Sequence, residues 1–161
     1  MKIPQVDPTV RPELAAAIGA MPSSKLLGIT VRGFAPGGIS VLEMAISPSH
    51  TFDGRTAQGG IVGVLADYAG VSAAFSALEP EYSVATASFE VHNLSPVRAK
   101  HLVAVGHLMR AGRHSSVSHV EVYSVAESGS MDPGELVCIA TTTAAILGPV
   151  TPSTPSFRQA N

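Results

Sequence analysis

The sequence predicts an α+β fold in which an antiparallel β-sheet wraps around one long central helix. Residues 60–78 form a long apolar stretch in which Asp67 is the only charged residue. Two runs typical of strands precede this stretch and four follow it, and the short links among the later four favour antiparallel pairing. An antiparallel sheet must bury one face, and the apolar helix is the element that can cover it.

Each element can be placed along the chain. Pro12 and the following ELAAAIGAM predict a short helix, because proline is well tolerated in a first helical turn, and Pro22 should end it. The runs LLGITVRGF and ISVLEMAIS flank APGG and predict a β-hairpin. A turn-rich loop, SHTFDGRTAQGG, leads into the long helix, which ends near Glu79 and Pro80. The later strands are predicted in VATASFEVHNL, HLVAVGHLMR, SSVSHVEVYSVAE and LVCIATTTAAIL.

The chain length fits one domain with a core of its own, and the sequence contains no internal repeat. We expect an N-terminal extension with a short helix over residues 1–23 and a single folded domain over residues 24–148. Residues 149–161 are rich in Pro, Ser and Thr, which predicts a flexible C-terminal tail.

Composition indicates a protein that hides apolar surface. Charged residues make up 14% and hydrophobic residues 45% of 161 residues, so we expect a homo-oligomer, either a homodimer or a homotetramer. The formal net charge of -2 gives no reason to expect a nucleic acid partner.

The sequence also favours a cytoplasmic protein without a membrane span. The N-terminus lacks the pattern of a signal peptide. Residues 61–78 are long enough to cross a bilayer, but Asp67 at their centre would cost about 2.5–3.5 kcal/mol on insertion scales. Cys138, the single cysteine, cannot form an internal disulfide, and we expect a reduced thiol packed as a small hydrophobic group.

Several common chemistries are disfavoured. His114 and His119 lie five residues apart on a predicted strand and point to opposite faces, and the sequence has no H-x-x-x-H and no Cys partner at zinc spacing, so we expect no metal site. The sequence lacks G-x-S-x-G, and Cys138 has no sign of activation, which argues against a serine or cysteine nucleophile. APGGIS lacks the Gly-Lys-Ser/Thr ending of a phosphate loop.

The long helix carries one charge beside a stripe of small residues. At helical spacing the stripe consists of Gly60, Gly63, Asp67, Gly70 and Ala74. Each helical glycine costs about 0.5–1 kcal/mol relative to alanine, so the stripe needs a reason. One interpretation is that the glycines let a strand or helix approach closely. The other is that they line a groove in which a ligand reaches Asp67, whose desolvated carboxylate would act as a general base or nucleophile.

The entrance of this helix offers a second functional group. Gly59 and Gly60 stand where backbone amides have no intrahelical partner and where the helix dipole favours negative charge, which is the chemistry of an oxyanion site. Gly59 and Asp67 are two turns apart, about 12 Å along the axis. One chain therefore cannot easily bring both to one reacting carbonyl, whereas a second subunit could supply the complementary end.

These motifs resemble the hotdog-fold acyl-CoA thioesterases of the phenylacetic-acid-degradation (PaaI-like) type. The resemblance rests on QGGIVGVLADYAG, VATASFEVHNLSPV and AGRHSSVSHVEV and spans roughly residues 24–148. The family has His-Gly-Gly followed by a helix with Asp or Glu eight residues after the first glycine. The resemblance implies the hotdog fold and active sites at a dimer interface. It also implies a substrate that contains coenzyme A, with no separate cofactor.

The resemblance implies roles for particular residues. Asp67 would be the catalytic carboxylate, and the Gly59 amide would polarise the carbonyl oxygen in the partner subunit's site. Thr86 stands where relatives place a Ser or Thr that helps hold water. Gln58 replaces the usual His and still offers a side-chain amide. On the groove interpretation of the small-residue stripe, Gly60 and Gly63 are placed among the substrate-binding residues.

The loop before the helix departs from the family pattern. Phe52 stands where relatives have Asn or Gln, and phenylalanine cannot position a water or a carbonyl. Asp53 or His50 are candidates to replace that group, and we place Phe52 and Asp53 among the substrate-binding residues. A basic turn formed by Arg110, Arg113 and His114 is either a contact for the CoA phosphates or a solvated turn.

Three hypotheses follow. The first is a homo-oligomeric enzyme that hydrolyses the thioester of an acyl-CoA or an acyl carrier. The second, prompted by Phe52, is a hotdog protein that binds acyl-CoA or a related ligand without hydrolysing it. The third is a hotdog dehydratase or hydratase, which is disfavoured because such enzymes use a histidine near the helix and this helix has none.

Overall fold

The computed structural model describes residues 2–149. Its helices are α1 (Pro12–Ala20), α2 (Pro22–Leu27) and α3 (Gly59–Ser76). Its strands are β1 (Ile29–Ala35), β2 (Ile39–Ala45), β3 (Tyr82–Asn93), β4 (His101–Ala111), β5 (Ser115–Val125) and β6 (Leu136–Pro149). Apart from α2, these are the elements that the sequence predicts. The tail predicted beyond Pro149 lies outside the described residues.

The segment between α1 and β1 differs from the prediction. Pro22 follows the end of α1, as expected, but it also begins α2, whose C-terminal cap is Gly28 in the left-handed conformation. The strand expected from Leu26 therefore begins only at Ile29. The physical reason is that the first amide of a helix has no intrahelical partner, so a proline that stops one helix can start the next.

The strands form one antiparallel sheet in the order β1-β2-β4-β5-β6-β3. The predicted strand direction is confirmed, but β3 pairs with β6 rather than with β4, which follows it in the chain. The link between β3 and β4 passes the start of α3, where the Ala57 amide donates to the Val97 carbonyl at 2.9 Å. This link leaves β3 at one edge of the sheet.

Helix α3 lies in the core and contacts all six strands. The Ser40 hydroxyl on β2 donates to the Ala69 carbonyl at 2.6 Å. A Cβ added to Gly106 on β4 would lie 2.3 Å from that same carbonyl oxygen, so only glycine allows this approach. By length and hydropathy α3 could also cross a membrane, but half of its residues are buried inside the protein, as expected of a core helix.

Two glycines of α3 serve packing against strands. A Cβ added to Gly70 would lie 2.2 Å from the Thr142 hydroxyl oxygen and 2.9 Å from a Val120 methyl group. Gly63 is buried against Val91 on β3, with a closest approach of 3.4 Å for an added Cβ. At Gly63 and Gly70 the small-residue stripe therefore lies close to strands, as the first interpretation predicts. At Gly70 the interpretation of the stripe as an open groove is wrong.

Candidate active site

The carboxylate of Asp67 faces β3 at the middle of α3. The Thr86 hydroxyl donates to the Asp67 carboxylate and lies 3.1 Å from each of its oxygens. Burial raises the pKa of Asp67 above its usual value of 3.8, and the hydrogen bond from Thr86 opposes that rise. A carboxylate with a raised pKa accepts a proton more readily than an exposed aspartate does, so Asp67 suits a general base.

Strand β3 positions Thr86 through a local irregularity. Its register against β6 shifts between Thr86 and Ser88, as in a β-bulge. Beyond this shift Phe89 and Val91 lie against Gly63 of α3. A bulge changes which face the following side chains occupy, so Thr86 and these apolar residues can all point toward the helix.

A cavity of about 220 Å³ opens beside Asp67. The residues that line it are Ile18, Met21, Asp67, Tyr68, Val71, Ser72, Phe75, Val84, Ala85 and Thr86. Asp67 is the only acidic or basic residue among them, and most of the other side chains are apolar. The cavity therefore presents one carboxylate to an uncharged, mainly apolar ligand group.

Gln58 caps the start of α3. Its side-chain oxygen accepts hydrogen bonds from the amides of Gly60 and Ile61, at 2.5 and 3.3 Å. Among the hydrogen bonds of residues 2–149, none uses the Gly59 amide. The Gly59 amide and the Gln58 side-chain NH₂ are thus both available as donors to a ligand.

A second cavity, of about 370 Å³, lies at this helix entrance. It is lined by Phe52, Thr56, Ala57, Gly59, Val62 and residues 93–97. The Phe52 side chain is 70% exposed. The structure thus brings Phe52 and Gly59 to one cavity, separate from the cavity that contains Asp67.

Asn93 is a polar residue at this cavity that the sequence analysis missed. A Cβ added to Gly59 would lie 2.7 Å from the Asn93 side-chain nitrogen, so this carboxamide lies directly against the glycine. A signal was present, because Asn93 is a polar residue at the end of a strand whose other helix-facing residues include Phe89 and Val91. Detecting it required knowing where the strand ends relative to the helix entrance.

Neither candidate replacement for Phe52 reaches this cavity. The Asp53 carboxylate accepts hydrogen bonds from the amides of Arg55 and Thr56 and from the Thr56 hydroxyl. These bonds, the backbone ones first, lower the pKa of Asp53 below 3.8. His50 is buried, and its Nδ1 accepts from the Ser47 amide at 3.3 Å. Both side chains hold the loop in shape.

The remaining predicted residues lie at three places. Gly60 is exposed at the helix entrance next to the Gln58 side chain, and Gly63 is buried against β3. The basic residues Arg110, Arg113 and His114 are exposed around the turn between β4 and β5 and line neither of the two cavities. Substrate binding by these residues stays a prediction.

Cys138 packs in the core, as predicted for a small hydrophobic group. Burial raises the pKa of its thiol to about 11. Within residues 2–149, no group of three or more His, Cys, Asp or Glu side chains is placed to hold a metal ion.

Comparison with known families gives a match over the part of the chain that contains these groups. Residues 55–128 match the family model of the Thioesterase superfamily. The matched range begins in the loop before α3, ends just after β5, and includes Gly59, Asp67 and Thr86. A search of curated proteins finds no match.

Solved structures resemble this chain over most of its length. A thioesterase family protein from Silicibacter pomeroyi has a TM-score of 0.73 and 24% identity, covering 84% of this chain and 96% of its own. A thioesterase from Haemophilus influenzae has a TM-score of 0.75 and 18% identity, covering 89% and 94%. The PaaI protein from the phenylacetic acid degradation operon of E. coli has a TM-score of 0.70 and 19% identity, covering 83% and 90%.

These structural likenesses confirm the predicted hotdog fold. The match of residues 55–128 to the Thioesterase superfamily model confirms the predicted resemblance to thioesterases and supports thioester hydrolysis as a general activity.

Proposed function

We propose that this chain, matched over residues 55–128 by the Thioesterase superfamily model, hydrolyses an acyl-CoA to a carboxylic acid and free coenzyme A. The observation that carries the proposal is the partly buried Asp67, with its raised pKa and its hydrogen bond from Thr86. Asp67 takes a proton from a water molecule whose oxygen attacks the thioester carbon. The carbon–sulfur bond then breaks, and the departing thiolate takes up a proton.

The Gly59 amide stabilises the negative charge that develops on the carbonyl oxygen. This amide is free of hydrogen-bond partners among the described residues and stands at the positive end of the α3 dipole. The Gln58 NH₂ group and the Asn93 carboxamide are further donors at the same place. The proposed reaction uses no separate cofactor, because coenzyme A arrives as part of the substrate.

A complete site requires two subunits. Gly59 and Asp67 are about 12 Å apart along α3, too far for both to reach one carbonyl group. Strand β3 is twelve residues long, lies at the edge of the sheet, and is exposed along residues 85–90. Long exposed edge strands are open to pairing with another chain, so β3 is the proposed contact of a homodimer.

The residues along β3 support this arrangement. Thr86 contacts Asp67, and Asn93 lies beside Gly59. If two β3 strands pair antiparallel about a two-fold axis close to Glu90, Thr86 of each strand lies opposite Asn93 of the other. Gly59 of one subunit then lies near Asp67 of the other, and both sites of the dimer are complete. In this proposal the enzyme acts in the cytoplasm.

The first experiment measures free thiol released from acyl-CoA substrates with short, long and aromatic acyl groups. We expect turnover by the wild type and none by Asp67→Ala. Asp132→Ala is the control, because Asp132 is an exposed acid in the turn before β6. If wild type and Asp67→Ala are equally inert with every substrate, the enzymatic proposal fails.

A complementation experiment tests the two-subunit site. Asp67→Ala removes the base, whereas Gly59→Val keeps the amide but adds a side chain that would crowd Asn93 and block a ligand from that amide. We expect each chain to be inactive alone, and the two are unfolded together and refolded as a mixture. Each mixed dimer then contains one site with both Asp67 and Gly59, so up to about one quarter of wild-type activity should return. A mixture of Asp67→Ala with Asp67→Asn is the control and should stay inactive. No recovery in the first mixture, with mixed dimers present, would contradict the shared site.

Binding of acyl-CoA without hydrolysis is the second candidate function. Phe52 favours it, since it lines the cavity beside Gly59 where relatives place an amide, and the neighbouring Asp53 and His50 are engaged elsewhere. Tight binding of an intact acyl-CoA with no thiol release would support this function over hydrolysis.

A further inference from the structure

The N-terminal extension forms one wall of the cavity beside Asp67. Ile18 near the end of α1 and Met21 between α1 and α2 face Val71 and Phe75 of α3 across this cavity. Ile18 is buried and Met21 is 41% exposed. Met21 thus places a long, flexible, apolar side chain where this wall meets solvent.

This wall is attached to α3 near both sides of the cavity. Arg11 donates to the carbonyls of Phe75, Ser76 and Leu78 at the C-terminal end of α3, at 3.2, 3.1 and 2.7 Å. The Ser23 hydroxyl forms a hydrogen bond of 2.5 Å with the Tyr68 hydroxyl, one residue from Asp67. Ile18 and Met21 lie between these two attachments along the chain.

The backbone of Arg11 indicates that the attachment is specific. Its φ of 54° is the only positive value for a non-glycine residue among the described residues. A left-handed conformation is unfavourable for a non-glycine residue and persists only where surrounding contacts hold it. The three carbonyl contacts and the Phe75 ring, 5.9 Å from the guanidinium carbon, supply such contacts.

We propose that the cavity between the N-terminal extension and α3 holds the acyl group of the substrate, and that Met21 limits the size of the acyl group that fits. The proposal rests on the proposed function, because Asp67 in the cavity wall marks where the thioester carbonyl must lie. A volume of about 220 Å³ is below the roughly 300–1,000 Å³ of sites for whole drug-sized ligands. It therefore suits the acyl part alone, with coenzyme A outside.

The lining also selects the chemistry of the acyl group. Asp67 is the only charged residue among the lining side chains, and the Tyr68 hydroxyl is paired with Ser23. An acyl group with a second carboxylate would meet Asp67 without a cation to balance it, and burying such a charge is strongly unfavourable. The expected substrates carry an uncharged aliphatic or aromatic acyl group.

The test compares wild type, Met21→Ala, Met21→Trp and Leu26→Ala. Leu26 is the matched control, since it lies five residues after Met21 in α2, is 81% exposed and does not line the cavity. Thiol release gives kcat/KM for butyryl-, decanoyl-, benzoyl- and succinyl-CoA. Met21→Ala should raise the decanoyl-to-butyryl ratio about tenfold, Met21→Trp should lower it by a similar factor, and Leu26→Ala should leave it unchanged. Succinyl-CoA should be at least about tenfold poorer than butyryl-CoA, which has the same number of acyl carbons.

A binding measurement separates the two proposals. Affinities of S-butyl- and S-decyl-CoA, which are thioethers and cannot be hydrolysed, are measured by calorimetry for the same four proteins. Altered chain-length preference in both Met21 variants, with or without turnover, supports the acyl cavity even if hydrolysis fails. If both Met21 variants keep the wild-type chain-length preference, the proposal of an acyl cavity is overturned, while the proposal of hydrolysis stands. Absence of both binding and turnover in the wild type overturns both proposals.

Discussion

The Thr86 hydroxyl on β3 lies 3.1 Å from each carboxylate oxygen of Asp67 on α3, so one donor serves both oxygens of the acid. Burial raises the pKa of Asp67, and this hydrogen bond partly opposes the rise. The proton affinity of the candidate base therefore depends on its burial first, and also on a residue that the helix itself does not contain. Substitutions at Thr86 can change that affinity while leaving the carboxylate in place.

Thr86→Val should move the acidic side of the pH–rate profile to higher pH. Valine has nearly the shape of threonine but removes the donor, and without this bond the pKa of Asp67 rises further. A general base must be ionised, so activity then begins to fall at a higher pH as the solution is acidified. The measurement is kcat/KM against pH for thiol release. Thr86→Ser keeps the hydroxyl and is the control, and identical profiles for valine and wild type would contradict the role of Thr86.

Asp67→Asn should inactivate the enzyme and stabilise the fold at neutral pH. Loss of a general base lowers the rate by about 10²–10⁴-fold. The pKa of Asp67 is raised in the folded state, so the folded protein binds more protons than the unfolded chain between the unfolded value near 3.8 and the folded value. The contribution of Asp67 to stability is fully present below that window and is lost as pH rises through the folded pKa. Removing the charge should therefore raise Tm at pH 7, with the difference shrinking toward pH 3.

Asp53→Asn is the control, for which the expected change in Tm at pH 7 has the opposite sign. Hydrogen bonds from the loop hold the pKa of Asp53 below 3.8, so its ionised form stabilises the fold above the unfolded pKa, and this is lost as pH falls through the folded pKa. Asp53→Asn should therefore lower Tm at pH 7, and its effect should shrink in acid. Thermal unfolding followed by circular dichroism between pH 3 and 7 checks both variants. A Tm that falls for both at pH 7 would contradict the assigned burial of Asp67.

The site residues that could be predicted from the sequence are those whose relation to one another depends on their spacing along one helix. The helix with Asp67 and the glycines at its entrance repeat at helical intervals, so their relation follows from the helix alone. Thr86 could be named only through family resemblance, because its contact with Asp67 joins positions nineteen apart. Asn93 and Met21 were missed, since their places depend on where β3 ends and on how the extension folds back onto α3. Neither depends on a local sequence pattern.

Gly70→Ala and Gly63→Ala should have opposite effects on stability although both lie in α3. Alanine is favoured over glycine in a helix by about 1 kcal/mol. At Gly70 the added methyl would lie 2.2 Å from Thr142, and overpacking of this kind costs about 1–3 kcal/mol. At Gly63 the nearest atom is at 3.4 Å, so the helical preference should prevail and stability should stay equal or rise.

Urea unfolding of the two glycine variants measures the free energy of unfolding, and thiol release on the same samples measures activity. Gly63→Ala with unchanged stability and lower kcat/KM would support the predicted contact of Gly63 with substrate. Full activity with unchanged stability would assign Gly63 to packing alone. Gly70→Ala as stable as wild type would contradict the close approach of α3 to β6.

Gln58→Glu should separate the structural role of Gln58 from its catalytic role. The side-chain oxygen of Gln58 accepts hydrogen bonds from the Gly60 and Ile61 amides, and a glutamate oxygen can do the same. A negative charge at a helix N-terminus contributes about 0.3–1 kcal/mol, so Tm should be equal or higher. The substitution removes the NH₂ donor and places a negative charge where the oxyanion would develop, so kcat should fall about 10²–10³-fold, as on loss of an oxyanion donor.

Gln58→Ala supplies the comparison for this prediction. Alanine removes the cap as well as the donor, so both Tm and kcat should fall, whereas Gln58→Glu should lower kcat alone. Wild-type turnover by Gln58→Glu would restrict Gln58 to capping α3. The Gly59 amide and the Asn93 carboxamide would then be the donors left at this end of the site. Because all three groups stand at the entrance of α3, the kcat of Asn93→Ala measured beside that of Gln58→Glu shows which side chain assists the Gly59 amide.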